Sequence, residues 1–421
     1  EELEAHLRDQ IADLDAAGLA ADEAFLVAVK RMGKLDELSR EYAREHSGRL
    51  WRQLVLSGGS EQQPSDNSGW PEALLLAVAT AVAIQVARLI AGFPSEEPSW
   101  LLRNASLLVL PFLAGYFARR RRLPLRQAML TAGPFAIAAI VINLYPFDED
   151  SSTEPLVAAH LPVLLWFVVA YPYMNGELRS HERRMDFVRF TGEWFIYYVL
   201  IALGGGVLLA LTGLILEPTG ADVERLIEWV LPSGAAGAVI VAAWLVESKQ
   251  RVVENMAPVL TLLFTPLFAM MLATAAVVYA VTGVGGAFDR ELLGVFDALL
   301  VVVLGLVLYG MSARDPSSSA GWMDRIQLVA IVSALLLDVM VLGTMVARIG
   351  DLGFTPNRTA ALGLNLVLLV NLARTAWLST RFLTGHSTFH RLERWQTTYL
   401  PVFAVWVAAV VVILPPLFAF S

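Results

Sequence analysis

Not one of the 421 residues is a cysteine. That removes disulfides, thiolate metal sites and cysteine nucleophiles from consideration. Charge is scarce as well. Asp, Glu, Lys and Arg make up 17% of the chain, against 56% hydrophobic residues. A soluble globule carries about 25% charged residues. The scarcity is uneven, because the first fifty or so positions are rich in Glu, Asp and Arg, so the remainder of the chain is more apolar than the average. The net charge of −8 says little about nucleic acid, since the acids lie in the first segment and in loops, and no direct nucleic-acid binding is expected. Catalytic signatures are missing too: there is no HExxH, no phosphate-binding Gly-rich loop, no GxSxG elbow and no metal-spaced His/Asp cluster. No cofactor or metal is expected, and no enzyme activity.

What the chain does have is long apolar runs. From Trp70 onward about eleven stretches are each long enough to cross a bilayer, which needs about 20 residues. The runs fall near 71–93, 100–118, 124–146, 155–175, 187–216, 226–246, 255–282, 289–312, 323–347, 359–383 and 398–420. The expected fold class is therefore all-α: a polytopic transmembrane bundle over 70–421, with lipid as its surroundings. In front of it, Leu3, Leu7, Ile11 and Leu14 repeat at helical spacing. Phe25, Val29 and Met32 mark a second stripe, and Leu35 to Leu54 a third. A small three-helix domain over residues 1–56 is expected, joined by a flexible Ser/Gly/Gln linker over 57–69.

Loop charge sets the orientation. The links with Arg119–Arg122, Arg179/Arg183/Arg184, Lys249/Arg251, Arg314/Arg325 and Arg381/Arg391/Arg394 alternate with acidic or neutral links such as Asp148–Glu154 and Gly350–Asn357. The positive-inside rule then puts the prefix and the basic links on the cytoplasmic side of an inner membrane. An odd number of spans puts the last residue outside. Glu1 in place of Met predicts a trimmed N-terminus. The apolar run at the other end predicts that the chain continues beyond it.

A few polar residues inside these spans are the functional candidates. Asp338 lies in the middle of the ninth span, where a carboxylate costs about 2.5–3.5 kcal/mol on insertion scales. It is read as a proton or cation site, as the partner of a buried cation, or as a hydrogen-bonded packing residue. Asn371 and Arg374 share a face of the tenth span. Arg374 either pairs with Asp338 or snorkels to the cytoplasmic side. Between these spans, Thr355 is a plausible N-cap and Pro356 suits a first helical turn. That gathers Arg348, Thr355, Asn357 and Arg358 into a candidate outer-face anion or ligand site, or a simple capped turn. Glu254, Pro258 and Pro266 mark a seventh span with the makings of a kink or a break, as in cavity-lining transporter helices. Gly204–Gly206 suit close helix packing. His160 is read as packing, and Glu193, Glu228 and Asp297 as interfacial groups near span ends.

Two resemblances add to this reading. The run Glu4–Leu14 (EAHLRDQIADL), then Gly18-Leu19, Asp22–Phe25 and Ala28–Gly33 (AVKRMG), resembles the permease prefix domain, also described as a helix-turn-helix-associated α-helical signalling domain. It departs at Ala20, where a Ser-type cap is usual. The resemblance implies a partner for residues 1–56, namely a PadR-like cytosolic DNA-binding regulator, or attachment to a permease. The runs Glu254–Leu260 (ENMAPVL), Phe264–Leu267 (FTPL) and Ala347–Arg358 (ARIGDLGFTPNR), with Asp338, Asn365 and Asn371, resemble an uncharacterised bacterial multi-pass family, which implies an architecture and no activity. Three functions are weighed. The favoured one is a membrane sensor that relays to a regulator through the prefix. The second is a permease working around Asp338 and Arg374, although no internal repeat supports it. The third is an intramembrane enzyme acting on a lipid-linked substrate. Oligomeric state is unknown from sequence.

Overall fold

A computed structural model describes residues 14, 69–90, 92, 99–148, 150–216, 222–248, 256–282, 290–314 and 318–421. Apart from Leu14, which is helical and buried, the expected prefix over 1–56 lies outside these residues. So do Glu254 and most of the linker. Contacts divide the chain into two units, Glu1–Ser65 and Asp66–Ser421. The helical bundle belongs to the second.

Among the described residues there is no strand. Eleven helices are long and apolar enough to span a membrane. They are α1 (Trp70–Ile90), α2 (Ser99–Arg120), α3 (Leu125–Leu144), α4 (Thr153–Tyr173), α5 (His181–Leu216), α6 (Val223–Ser248), α7 (Met256–Thr282), α8 (Arg290–Ser312), α9 (Trp322–Leu352), α10 (Pro356–Leu383) and α11 (Phe389–Val412), with a short α12 (Leu414–Leu417) at the end. The all-α multi-pass class expected from the sequence is what is observed. Lipid cannot hydrogen-bond a backbone, so each span closes its own ladder as a helix.

Two spans shift most. The last span starts at Phe389 and stops at Val412, instead of running over 398–420. Its first two turns carry His390, Arg391, Glu393 and Arg394, which hydropathy leaves out of a span, and Pro415-Pro416 bars a simple continuation. The fifth span starts at His181 for the same reason. The seventh span is also not broken: α7 runs without interruption through Pro258 and Pro266.

Side-chain bonds at the two ends show that successive helices alternate in direction. At the basic end Arg119 meets Glu72, and Arg121 meets the buried Glu247 at 2.8 Å, tying α2 to α1 and α6. Arg189 of α5 donates to the Ser312 carbonyl at the end of α8. Arg314 pairs with Asp324 at the start of α9 and lies over the rings of Phe382 and Phe389. The arginines of this end are thus structural ties as well as topogenic signals. At the opposite end Arg103 pairs with Glu154 at 2.8 Å, and Tyr145 donates to the Val412 carbonyl.

The spans pack around two cores. One gathers α1–α6 and centres on a run of rings: Phe117 contacts Tyr173 and Phe190, and Trp166 contacts Phe190 and Trp194. Within it α1 and α6 approach through small residues, a Cβ on Gly237 of α6 meeting the Ala77 carbonyl of α1 at 3.3 Å, as membrane helices do without a hydrophobic drive. The other core gathers α7–α11 around Leu272, Leu300, Ile331, Leu337, Leu368 and Leu372. The halves meet where α5 packs on α8 and α4 on α11, and the Tyr309 ring of α8 lies against Gly192 of α5. The second half of α5 faces outward, with Leu203, Val207, Leu211 and Ile215 exposed. The close packing expected at Gly204–Gly206 is therefore not made among the described residues, since a Cβ at any of the three meets open space.

Gly363 of α10 lies under the Trp406 indole of α11, in the space a Cβ would fill. Gly363→Val is expected to cost about 1–3 kcal/mol by overpacking and to lower the unfolding temperature in detergent. Gly204→Ala, by contrast, meets open space inside a helix and should hold or slightly raise that temperature.

Candidate functional site

Helical phase places the polar groups of the second half. On α9, Ile331, Ala334, Asp338, Val341 and Met345 recur at spacings of three and four, and all are buried. Asp338 sits in that apolar stripe with no exposed surface. It lies about 24 Å from one end of α9 and about 21 Å from the other. Among the described residues neither of its carboxyl oxygens has a hydrogen-bond partner. Among the described residues no Arg, Lys or His reaches it within ion-pair distance.

Two neighbours make the group a cluster. Asn365 of α10, also fully buried, donates from Nδ2 to Asp297 Oδ1 of α8 at 2.7 Å and to the Ala361 carbonyl at 2.8 Å. The same nitrogen lies 3.7 Å from Met345 Sδ. Asn365 Oδ1 has no partner. Asp297 is within electrostatic reach of Asp338, so α8, α9 and α10 converge on two carboxyls and an amide. The surplus is in acceptors: three buried oxygens, two of Asp338 and one of Asn365, wait for a donor. Asp297, expected as an interfacial group, belongs to this cluster. Its position near a span end hid that, and only the tertiary pairing with Asn365 reveals it.

The expected partner of Asp338 is elsewhere. Arg374 is exposed, and its guanidinium lies 4.2 Å from the Trp377 ring and 5.9 Å from that of Trp395. Of the two sequence readings, the Asp338–Arg374 pair is not made, and the guanidinium faces outward over Trp377. Asn371 leaves Asp338 as well. It donates to Gln396 Oε1 of α11 at 3.0 Å, while Gln396 Nε2 donates to Thr375 Oγ1 at 2.6 Å and Thr375 Oγ1 donates to the Asn371 carbonyl at 2.7 Å. All three residues are fully buried, and their bonds close on one another. Sequence reasoning missed Gln396 because it sits among charged residues ahead of the apolar run.

At the acidic end, Thr355 caps α10, its Oγ1 accepting from the Arg358 N–H at 3.4 Å behind Pro356. The Arg358 guanidinium donates to the carbonyls of Leu352 and Gly353 at 3.2 and 2.9 Å. Those donors close the α9 C-terminus rather than face a ligand. Arg348 and Asn357 lie in the same turn region. His160 Nδ1 is bonded to the Leu156 carbonyl at 2.8 Å, a local backbone contact.

Chemically, the Asp338 cluster has no nucleophile–base pair. Among the described residues no three His, Asp or Glu side chains gather as metal ligands. What it can do is hold and release a proton or a small cation.

No protein-family model, no curated protein and no solved structure matched this chain. The case for function therefore rests on its own residues.

Replacing Gln396 with Leu strands Asn371 and Thr375 in the core and is expected to cost about 1–3 kcal/mol. Asp338→Leu removes a carboxyl with no partner, so the unfolding temperature should hold or rise. A fall of several degrees for Asp338→Leu would instead assign that carboxyl a packing role.

Proposed function

We propose that the chain is a proton-linked permease in which Asp338 takes up and releases the coupling proton. The observation that carries this reading is a fully buried, unpartnered carboxyl at mid-depth, with a second carboxyl in electrostatic reach. Left charged, a carboxylate there costs about 2.5–3.5 kcal/mol, and like charges add to the cost. A proton on Asp338 removes it and supplies the donor that the surplus oxygens need. When neighbouring helices part on one side and admit water, the charged form becomes tolerable and the proton leaves. A solute whose passage needs the same parting is then coupled to the proton by population shift. Two separately cored halves that meet along α5–α8 and α4–α11 are suited to such rocking. The positive-inside rule supports a cytoplasmic basic end, and hence cytoplasmic residues 1–56, and the resemblance to a bacterial multi-pass family supports a bacterial inner membrane.

A second reading, a sensor that relays to a cytosolic regulator, is favoured by the charged helical prefix and linker of the sequence. In that reading the Asp338 cluster reports proton or cation availability and the prefix passes the signal on.

Proteoliposomes with trapped pyranine separate the two. With an imposed pH gradient and a small-molecule extract of bacterial cells outside, the permease should collapse the gradient faster than empty vesicles. Asp338→Asn should lose that activity while remaining folded, and a chain starting at Asp66 should keep it. Equal rates for wild type and Asp338→Asn would overturn the assignment. A full chain that moves no protons but retains a DNA-binding regulator on affinity purification, lost on removing residues 1–65, would establish the sensor.

A further inference from the structure

We propose that the basic end of the α10–α11 face is a binding site for the phosphodiester headgroup of an anionic phospholipid. This inference is independent of the proton-linked reading.

Arg374, Trp377 and Arg381 recur at i, i+3 and i+7, one stripe of α10. Arg374 and Trp377 are exposed, and Arg381 is half-buried. The two guanidiniums flank the same indole, Arg374 at 4.2 Å and Arg381 at 4.9 Å from the Trp377 ring. Trp395 of α11 borders them, 5.9 Å from Arg374, and the exposed Arg391 lies one turn before it.

The charge of this face is not balanced by the protein. From position 374 to 394, Arg374, Arg381, Arg391 and Arg394 stand against a single acid, Glu393, which lies 3.5 Å from His390. Among the described residues no carboxylate pairs with Arg374 or Arg381. The polar contact of the Arg381 guanidinium is a donation to the His386 carbonyl at 3.3 Å, which leaves its other donors available.

Depth selects the occupant. The helix α10 is about 42 Å long, against a hydrocarbon core of about 30 Å. Arg374 lies about 13 Å from its basic end and Arg381 about 3 Å. A lipid-facing arginine at that depth must turn its guanidinium toward the interface, where tryptophans also concentrate. The anion found at that level around the whole protein is the lipid phosphate. Arginine matches it with a planar fork of donors, and an anionic headgroup also offsets the surplus positive charge, which a zwitterionic one does not.

Native mass spectrometry of the full chain, released from detergent with equimolar phosphatidylglycerol and phosphatidylcholine, tests this. Wild type should retain phosphatidylglycerol in preference. Arg374→Gln and Arg381→Gln should each lower that preference about fivefold, the equivalent of one arginine at a charged surface. Arg126→Gln, an exposed arginine on α3, should leave it unchanged. Equal retention of the two lipids by wild type overturns the site without any variant being needed. A preference that survives both α10 variants, or falls as far in Arg126→Gln, also overturns it.

Discussion

Lipid offers nothing to a polar group, and the second half of this bundle holds a carboxyl that no side chain among the described residues neutralises. The rest of the architecture is organised around that constraint. Backbone groups are satisfied within helices. Asn371, Gln396 and Thr375 satisfy one another. Charged groups gather at the ends, where Glu247 meets Arg121 and Glu154 meets Arg103. Asp338 departs from each of these solutions at once, being buried, ionisable and unpartnered. A group that breaks the rules its neighbours keep is where function is sought first.

The two cores differ in a way that bears on motion. The first is a dense set of aromatic contacts joined to small-residue packing between α1 and α6, and it is pinned at both ends by ion pairs. The second is mostly branched aliphatic side chains with polar groups set among them. Aliphatic surfaces slide past one another with less geometric penalty than interlocked rings. Movement is therefore expected in the α7–α11 half, with the first half as its reference frame.

Most of the fold was legible in the sequence because a span has a one-dimensional signature, an apolar run of the right length between links of alternating charge. That signature fails where a helix enters lipid late. In α11 the first two turns are charged, so the expected start fell nine residues too far along, and Gln396 was lost with it. Asp338 was legible because an acid inside an apolar run stands out whatever surrounds it. Asp297 was not, because its role depends on Asn365, sixty-eight positions later, and no periodicity on α8 reports a partner on α10.

The lost Asp338–Arg374 pair shows the same limit in its simplest form. The contact between Met345 and Asn365 fixes which faces of α9 and α10 look at each other. Asp338 lies seven residues before Met345, about two full turns, and so keeps that face. Arg374 lies nine residues after Asn365, about two and a half turns, and so points the opposite way. Depth alone made the two look like partners. Phase, which needs one known contact before it can be read, separates them. With the arginine turned outward over Trp377, the carboxyl has no cation beside it among the described residues, and a proton that comes and goes is what the proposed permease reading supplies.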